Sequence, residues 1–191
     1  MYNRKKVLFI NCCIRENSRT EKMARIILKE YTNSKFYDFK ETVLSEKDIK
    51  PLSEKDTILR DIDIKNQNFD SNKYELAKDF AAADKIFISA PFWDNSFPSL
   101  LKVYIEHICV VSLTLGYDQK GYPKKFCKAD SLCYITTSGG FLPENPSVKI
   151  YFKELCDTFC IKNYKFIFAQ ALDIFPDKTD ELIEKSLKQQ L

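Results

Sequence analysis

The chain has 191 residues, of which 45% are hydrophobic and 14% aromatic, with only 4 glycines. This composition excludes collagen-like, low-complexity and disordered chains, and it fits one compact domain over residues 1–191. Thirty basic and 27 acidic residues leave a formal charge of +3, which is too weak a field to indicate a nucleic-acid partner. The longest apolar stretch, 108–115, is too short to span a bilayer, so we expect no membrane association.

The cysteines and the start of the chain indicate a cytoplasmic protein. The basic residues before position 7 lead into an apolar run of only a few residues, which predicts a strand and not a signal peptide. Seven cysteines, an odd number, indicate free thiols. With a single histidine, His107, there is no zinc pattern, and we expect no bound metal. Cys156 and Cys160 are one helical turn apart, and packing in the core is favoured over a redox or metal pair.

Apolar runs and helical segments alternate along the chain. Continuous apolar runs predict strands covered on both faces at 7–10, 86–89, 132–135 and 166–169, and an alternating run at 35–39 predicts an edge strand. Helices are predicted at 18–31, 98–111 and 177–190. The segment 41–72 is polar and poorly periodic, and we interpret it as a long connection between the second strand and the second helix. The alternation predicts a doubly wound α/β domain of five strands, each followed by a helix.

Three loops follow predicted strands at the carboxyl edge of the sheet, where such folds bind ligands. The first, NCCIRENSRT at 11–20, lacks both GxGxxG and a Walker lysine. Ser18, Arg19 and Thr20 at the start of a helix nevertheless offer hydroxyls, a guanidinium and N–H groups to a phosphate. The alternative, that Ser18 only caps the helix, is favoured on this loop alone.

The other two loops suit a flat ligand. APFWDNSFP at 90–98 places Phe92, Trp93 and Phe97 in a surface segment, either to stack on a ligand or to contact the core or a second subunit. TTSGGFL at 136–142 contains Gly139 and Gly140, which either let backbone N–H groups approach a ligand or form a plain strand-to-helix turn. Because all three loops lie at one edge of the predicted sheet, a ligand site is favoured.

Together these segments resemble the FMN-dependent NAD(P)H dehydrogenases (quinone), also called FMN-dependent NADH-azoreductases. APFWDNSFPSLLKVYIEHI at 90–108 is similar to that family's AP-aromatic-W/Y-N segment with its following helix, and YITTSGG at 134–140 is similar to its I-T-S/T-x-GG loop. LTLGY, which ends at Tyr117, resembles a short TF-x-Y stretch. The resemblance implies a flavodoxin-like five-stranded parallel sheet in the order 2-1-3-4-5, with helices on both faces, and a homodimer.

The resemblance also implies an FMN site. Its phosphate would be bound by Ser18, Arg19 and Thr20. The ring would lie against Phe92, Trp93, Asp94 and Asn95, and its pyrimidine end would be bordered by Thr137, Ser138, Gly139 and Gly140. Two features depart from the family pattern: Cys12 and Cys13 replace serine, and Asp94 replaces asparagine and brings a negative charge near the flavin.

The implied activity is the transfer of two electrons from NADH or NADPH to a quinone, an azo compound or a similar acceptor, by a ping-pong mechanism at one open face of FMN. No catalytic acid or base is expected, since the cofactor supplies the reactivity. The protein would supply stacking, a phosphate anchor and N–H donors, for which Gly139 and Gly140 are candidates. His107 is interpreted as a helix histidine and not a catalyst, while Tyr117 either reaches the rim of the site or packs in a turn.

Two alternatives remain open at this point. A flavodoxin-type electron carrier would bind FMN without nicotinamide turnover, although the first loop has no glycine and the chain is not acidic as flavodoxins are. A flavin-free α/β interaction module is the other, because a fold alone does not imply a function.

Overall fold

The computed structural model describes residues 4–191, so the first three residues of the basic start lie outside it. Five parallel strands form one sheet in the order β2-β1-β3-β4-β5. This is the order that the resemblance implied. The strands are β1 (Lys5–Asn11), β2 (Tyr37–Val43), β3 (Lys85–Ser89), β4 (Ser131–Thr137) and β5 (Asn163–Ala169).

Helices cover both faces of the sheet, because the strand residues are apolar on both sides. On β1, Leu8 and Ile10 belong to one buried cluster, whereas Val7 and Phe9 belong to the other. The helices are α1 (Arg19–Thr32), α2 (Glu54–Asn66), α3 (Glu75–Ala82), α4 (Ser99–Ile108), α5 (Ser147–Thr158) and α6 (Thr179–Gln190). In the range 4–191, none of them is long and apolar enough to cross a membrane.

The segment 41–72 differs from its prediction as an irregular connection. β2 continues to Val43, and α2 occupies 54–66, so the fold has six helices and not five. No residue of α2 is buried, and its apolar residues Ile58, Leu59 and Ile62 are exposed. The helix therefore lacks the buried apolar face by which helices are usually predicted from sequence. A capping box defines its start: the Ser53 hydroxyl accepts from the Asp56 N–H, and the Asp56 carboxylate accepts from the Ser53 N–H.

The predicted helix 98–111 ends earlier, at Ile108. The Thr114 hydroxyl donates to the Ile108 carbonyl and accepts from the Val110 N–H at 3.0 Å, so a tight turn replaces the last helical turn. Side-chain hydrogen bonds of threonine compete in this way with the helical pattern.

The strand order reverses between β1 and β3, which are neighbours in the centre of the sheet. The register pairs Asn11 with Ser89 at their carboxyl ends. The two loops that leave these strands therefore begin side by side and diverge, and this opening is where doubly wound sheets bind ligands.

Candidate active site at the carboxyl edge of the sheet

A buried asparagine positions the loop after β1. Asn11 is 2% exposed, and its amide nitrogen donates to Glu21 at 3.1 Å and to Glu41 at 3.2 Å. Its amide oxygen accepts from the Cys13 N–H and from the Ser89 hydroxyl. One side chain thus connects the loop with α1, β2 and β3, and it fixes the direction in which the loop leaves the sheet.

The predicted phosphate-binding residues stand at the start of α1. Ser18 is the N-cap, and its hydroxyl accepts from the Glu21 N–H at 3.3 Å, so the capping interpretation of Ser18 holds. The Thr20 hydroxyl lies 2.6 Å from the Thr137 hydroxyl at the end of β4. The helix leaves its first N–H groups without partners inside the helix, and these groups and the helix dipole favour an anion there.

The loop at 90–98 first continues the hydrogen bonding of the sheet and then makes a tight turn. The N–H of Phe92 donates to the Thr137 carbonyl at 3.0 Å. Trp93 and Ser96 exchange two backbone hydrogen bonds around Asp94 and Asn95, whose φ values are 49° and 59°. A two-residue turn with positive φ at both central positions favours Asn and Asp, which gives both residues a structural role.

The aromatic side chains of this loop have different surroundings. Phe97 packs in the core against Tyr151 and Phe152, with ring centroids 5.2 and 5.5 Å away. Trp93 is half-buried, and the Arg15 guanidinium lies 5.0 Å from its ring centroid, within the range of a cation–π contact. Of these, Trp93 lines the cavity and Phe97 supports the loop from the core.

The loop at 136–142, which contains Gly139 and Gly140, is packed against the segment after β5. The N–H groups of Ala171, Leu172 and Asp173 donate to the carbonyls of Gly140, Ser138 and Gly139. A Cβ placed on Gly139 would lie 1.9 Å from an Asp173 carboxylate oxygen, whereas a Cβ on Gly140 would meet nothing within 4 Å. The Cβ direction of Gly139 is thus filled by Asp173, whereas that of Gly140 is open. The role of both glycines as donors of backbone N–H groups to a ligand stays a prediction.

These loops enclose a cavity of about 350 Å³, a size typical of small-molecule sites. Seven of the predicted site residues line it, and they are Ser18, Arg19, Thr20, Phe92, Trp93, Thr137 and Gly139. A second cleft of about 860 Å³ shares Cys13, Ile14 and Trp93 with the cavity. The two spaces therefore meet at the Trp93 side chain.

The other four predicted residues do not line the cavity. Asp94 lines the neighbouring cleft. The Asn95 carbonyl accepts a hydrogen bond from the Ser147 hydroxyl, and the Ser138 hydroxyl donates to the Gly140 carbonyl at 2.7 Å. Gly140 is exposed beside the cavity.

Sequence reasoning missed Asp173, which forms part of the cavity wall. Its carboxylate accepts a hydrogen bond of 2.6 Å from the guanidinium of Arg19, which also lines the cavity. The available signal was its position shortly after a strand, since the fifth strand also ends at the ligand-binding edge. Arg15 and Glu16 line the same cavity and were missed as well.

A family model described as a flavodoxin-like fold matches residues 5–191. The chain belongs to this flavodoxin-like family. It is 32% identical to an FMN-dependent NADH:quinone oxidoreductase of Clostridium beijerinckii, over 95% of this chain and 94% of the relative. A second enzyme of that name, from Clostridium acetobutylicum, is 29% identical over 96% and 94% of the two chains.

Solved structures share the fold of this flavodoxin-like chain. A crystal structure of an azoreductase from Bacillus anthracis superposes with a TM-score of 0.80 at 21% identity, and the match covers 97% of this chain and 96% of that one. An FMN-dependent NADH-azoreductase of the same species, solved in complex with FMN, gives a TM-score of 0.73 at 18% identity over 98% and 100% of the two chains.

Cys12 and Cys13 directly follow β1, and burial favours the protonated form of both thiols at neutral pH. Burial raises the pKa of the Cys12 thiol to about 12, and the neighbouring Cys13 raises it further. Burial also raises the pKa of Cys13, although a hydrogen bond with Ser89 opposes the shift. A protonated thiol is a poor nucleophile, so neither cysteine is suited to attack a substrate.

His107 and Tyr117 lie outside both spaces of the site. His107 is half-buried, and its Nε2 is 2.8 Å from the Lys50 carbonyl oxygen, in a separate cavity beside α2. Tyr117 is 59% exposed and is paired with Pro123 in a turn. The interpretation of His107 as a helix histidine agrees with this position.

Proposed function

We propose that this protein is an FMN-dependent oxidoreductase that transfers two electrons from NADH or NADPH to a quinone, an azo compound or a similar acceptor. The observation that carries the proposal is the cavity in which a helix N-terminus, Arg19 and Trp93 meet the loop 137–140. The curated relatives that match nearly the whole chain are named FMN-dependent NADH:quinone oxidoreductases, which supports the same activity.

The residues of the cavity fit a phosphorylated flavin. Its anionic end requires N–H donors and positive charge, which the start of α1 and Arg19 provide. Its flat ring requires an aromatic side chain at a surface opening, which Trp93 provides. Gly140 follows Gly139 and is exposed, and a Cβ there would meet no atom within 4 Å, so its backbone is open to a ligand.

FMN, when bound, supplies the redox chemistry by accepting a hydride and passing two electrons on. The protein would bind and orient the ring, and N–H groups of the loop 137–140 would stabilise the negative charge that the ring gains on reduction. No acid or base of the chain is required for this. The residues that line the cavity provide two cations, two carboxylates, hydroxyls and aromatic surface. Burial keeps the thiols of Cys12 and Cys13 protonated.

The larger cleft beside Trp93 provides room for the donor and the acceptor. Its walls include the apolar side chains of Ile14, Val43, Leu44, Phe97 and Leu100, which suit a flat uncharged molecule such as a quinone. Because a single cleft meets the cavity at Trp93, donor and acceptor would use it in turn. Ping-pong kinetics are the expected consequence.

A homodimer in the cytoplasm completes the proposal. Helix α2 exposes the apolar side chains of Ile58, Leu59 and Ile62, which are 53%, 40% and 48% accessible. An apolar helix face of this kind is suited to a second copy of the chain. All seven cysteines are free thiols, which supports a reducing compartment such as the cytoplasm.

The test is a visible absorption spectrum of the purified protein, recorded before and after anaerobic addition of NADH. A bound flavin that bleaches with NADH, and is reoxidised by a quinone, is the expected result. A bound flavin that stays oxidised with both NADH and NADPH would favour an electron carrier. A colourless protein that cannot be reconstituted with FMN would contradict both.

A further inference from the structure

Asp173 is held at the cavity by its backbone. The Asp173 N–H donates to the Gly139 carbonyl at 3.0 Å, and the Leu172 N–H donates to the Ser138 carbonyl at 3.2 Å. The Asp173 carboxylate lies directly over the α-carbon of Gly139. Its position is therefore set by the packing of two loops, although the side chain itself is 70% exposed.

The ion pair of Asp173 joins two separate segments that line the cavity. Arg19 is the first residue of α1, and its Nη2 donates to Asp173 Oδ1 at 2.6 Å over a separation of 154 residues. This hydrogen bond uses one terminal nitrogen of the guanidinium, so Nε and Nη1 remain for a second acceptor. The Arg19 guanidinium, which would bind a phosphate at the start of α1, is thus already paired with the Asp173 carboxylate.

The charges that line the cavity cancel. Arg15 and Arg19 are opposed there by Glu16 and Asp173. A phosphate that enters this corner gains the attraction of Arg19, but it also meets the negative charge of Asp173, which lies within hydrogen-bonding distance of the same guanidinium. Removal of the Asp173 charge would leave the lining with a net positive charge.

We propose that Asp173 sets how strongly this site selects phosphorylated over unphosphorylated flavin. The carboxylate and the flavin phosphate share Arg19, so each weakens the hold of the other on it. Asp173 acts here through Arg19 and is a positioning residue, not a catalytic one. The inference rests on the proposed function, because it takes FMN as the occupant of the cavity.

The test compares two flavins that differ only in the phosphate. Dissociation constants of FMN and riboflavin are measured by flavin fluorescence for the flavin-free protein and for Asp173→Asn, which keeps the shape and the backbone bonds of the residue. We expect the variant to bind FMN about two- to fivefold more tightly, because the ion pair is mostly exposed and its charge is screened by water. The dissociation constant of riboflavin should be unchanged. The gain should shrink at high salt, because salt screens exposed charges.

A matched control separates this effect from a general change of charge. Asp180 forms an ion pair of the same 2.6 Å length with Lys22, and the side chain of Asp180 is 71% exposed. Asp180→Asn therefore removes the same charge from a similar ion pair. Asp180 is not among the residues that line the cavity. This control variant should leave both dissociation constants as they are in the unmodified protein.

A double-mutant cycle tests whether Asp173 acts through Arg19. In the background of Arg19→Gln, Asp173→Asn should lose most of its effect on FMN, because the shared partner is gone. Weaker or unchanged FMN binding in Asp173→Asn, or an equal gain for riboflavin, would overturn the role of Asp173. Failure of the unmodified protein to bind either flavin would instead overturn the proposed function.

Discussion

Gly139 and Gly140 are adjacent in the chain but have different surroundings. The Cβ direction of Gly139 is filled by Asp173, whereas that of Gly140 is open. We expect Gly139→Ala to lower the free energy of unfolding by about 1 kcal/mol, because the Asp173 carboxylate must rotate away and its Cβ would lie 3.3 Å from the new methyl group. Gly140→Ala should change it by no more than about 0.5 kcal/mol. Urea unfolding of the flavin-free protein measures both, and equal effects would contradict the packing described for this loop.

Trp93 is the aromatic residue best placed to contact a flat ligand. It lines both the cavity and the neighbouring cleft, whereas Phe97 of the same loop lines the cleft but not the cavity and packs against Phe152. We expect Trp93→Ala to raise the dissociation constant of FMN by about two- to tenfold through the loss of ring contacts. Trp93→Phe, which keeps an aromatic ring, should recover most of the affinity. Fluorescence titration measures both, and an unchanged constant in Trp93→Ala would argue against stacking.

At the scale of an element, α2 depends on its cap. No side chain of the helix is fully buried, and Ile64 alone packs half-buried against a core cluster. Loss of the Ser53 cap should therefore show as local opening at the start of the helix. We expect Ser53→Ala to lower the local stability of α2 by about 0.5–2 kcal/mol, with little change in the unfolding of the whole protein. Amide hydrogen exchange in 54–66 measures this effect.

The matched control for this helix is Thr57→Ala. Thr57 also carries a hydroxyl, which donates to the Glu54 carbonyl inside the helix, but it caps no N–H group. Its replacement by alanine should leave exchange in α2 unchanged or slower, since alanine is the better helix former. Faster exchange in both variants, to the same extent, would mean that the cap is not what holds α2.

Elements with a continuous apolar run or a clear alternation could be predicted from the sequence, including the edge strand β2, whereas the exposed helix α2 could not. β1 and β4 appear as continuous apolar runs because both faces of their sheet are covered. Helix α2 buries no residue, so no core-facing pattern predicted it, and its capping box of Ser53 and Asp56 was not recognised in the sequence. Asp173 has no local pattern, because its place depends on hydrogen bonds to a loop more than 30 residues earlier in the chain.

At the scale of the whole molecule, the parallel order brings distant segments to one edge. Asn11, Ser89, Thr137 and Ala169 each end a strand there, and the loops that follow are hydrogen-bonded to one another. The predicted site residues converge for this reason, although no two of the three loops are close in sequence. The strand order does not determine the direction of each side chain. Trp93 and Phe97 lie on the same loop, but only Trp93 lines the cavity.

The exposed face of α2 also bears on the whole molecule. If Ile58, Leu59 and Ile62 form the contact between two copies, a charge there should oppose association, because an unpaired carboxylate would have to be buried. We expect Ile62→Asp to raise the dissociation constant of the dimer by at least about tenfold. Light scattering and sedimentation over a range of protein concentrations measure this constant.

Ile26→Asp provides the matched control, because Ile26 is 46% exposed on α1 and Ile62 is 48% exposed on α2. The same change from isoleucine to aspartate on a different helix should leave the dimer intact, since only the face of α2 is covered in the proposed assembly. An unmodified protein that stays monomeric at every concentration would contradict the dimer. A dimer weakened equally by both changes would place the contact elsewhere and leave the apolar face of α2 without this role.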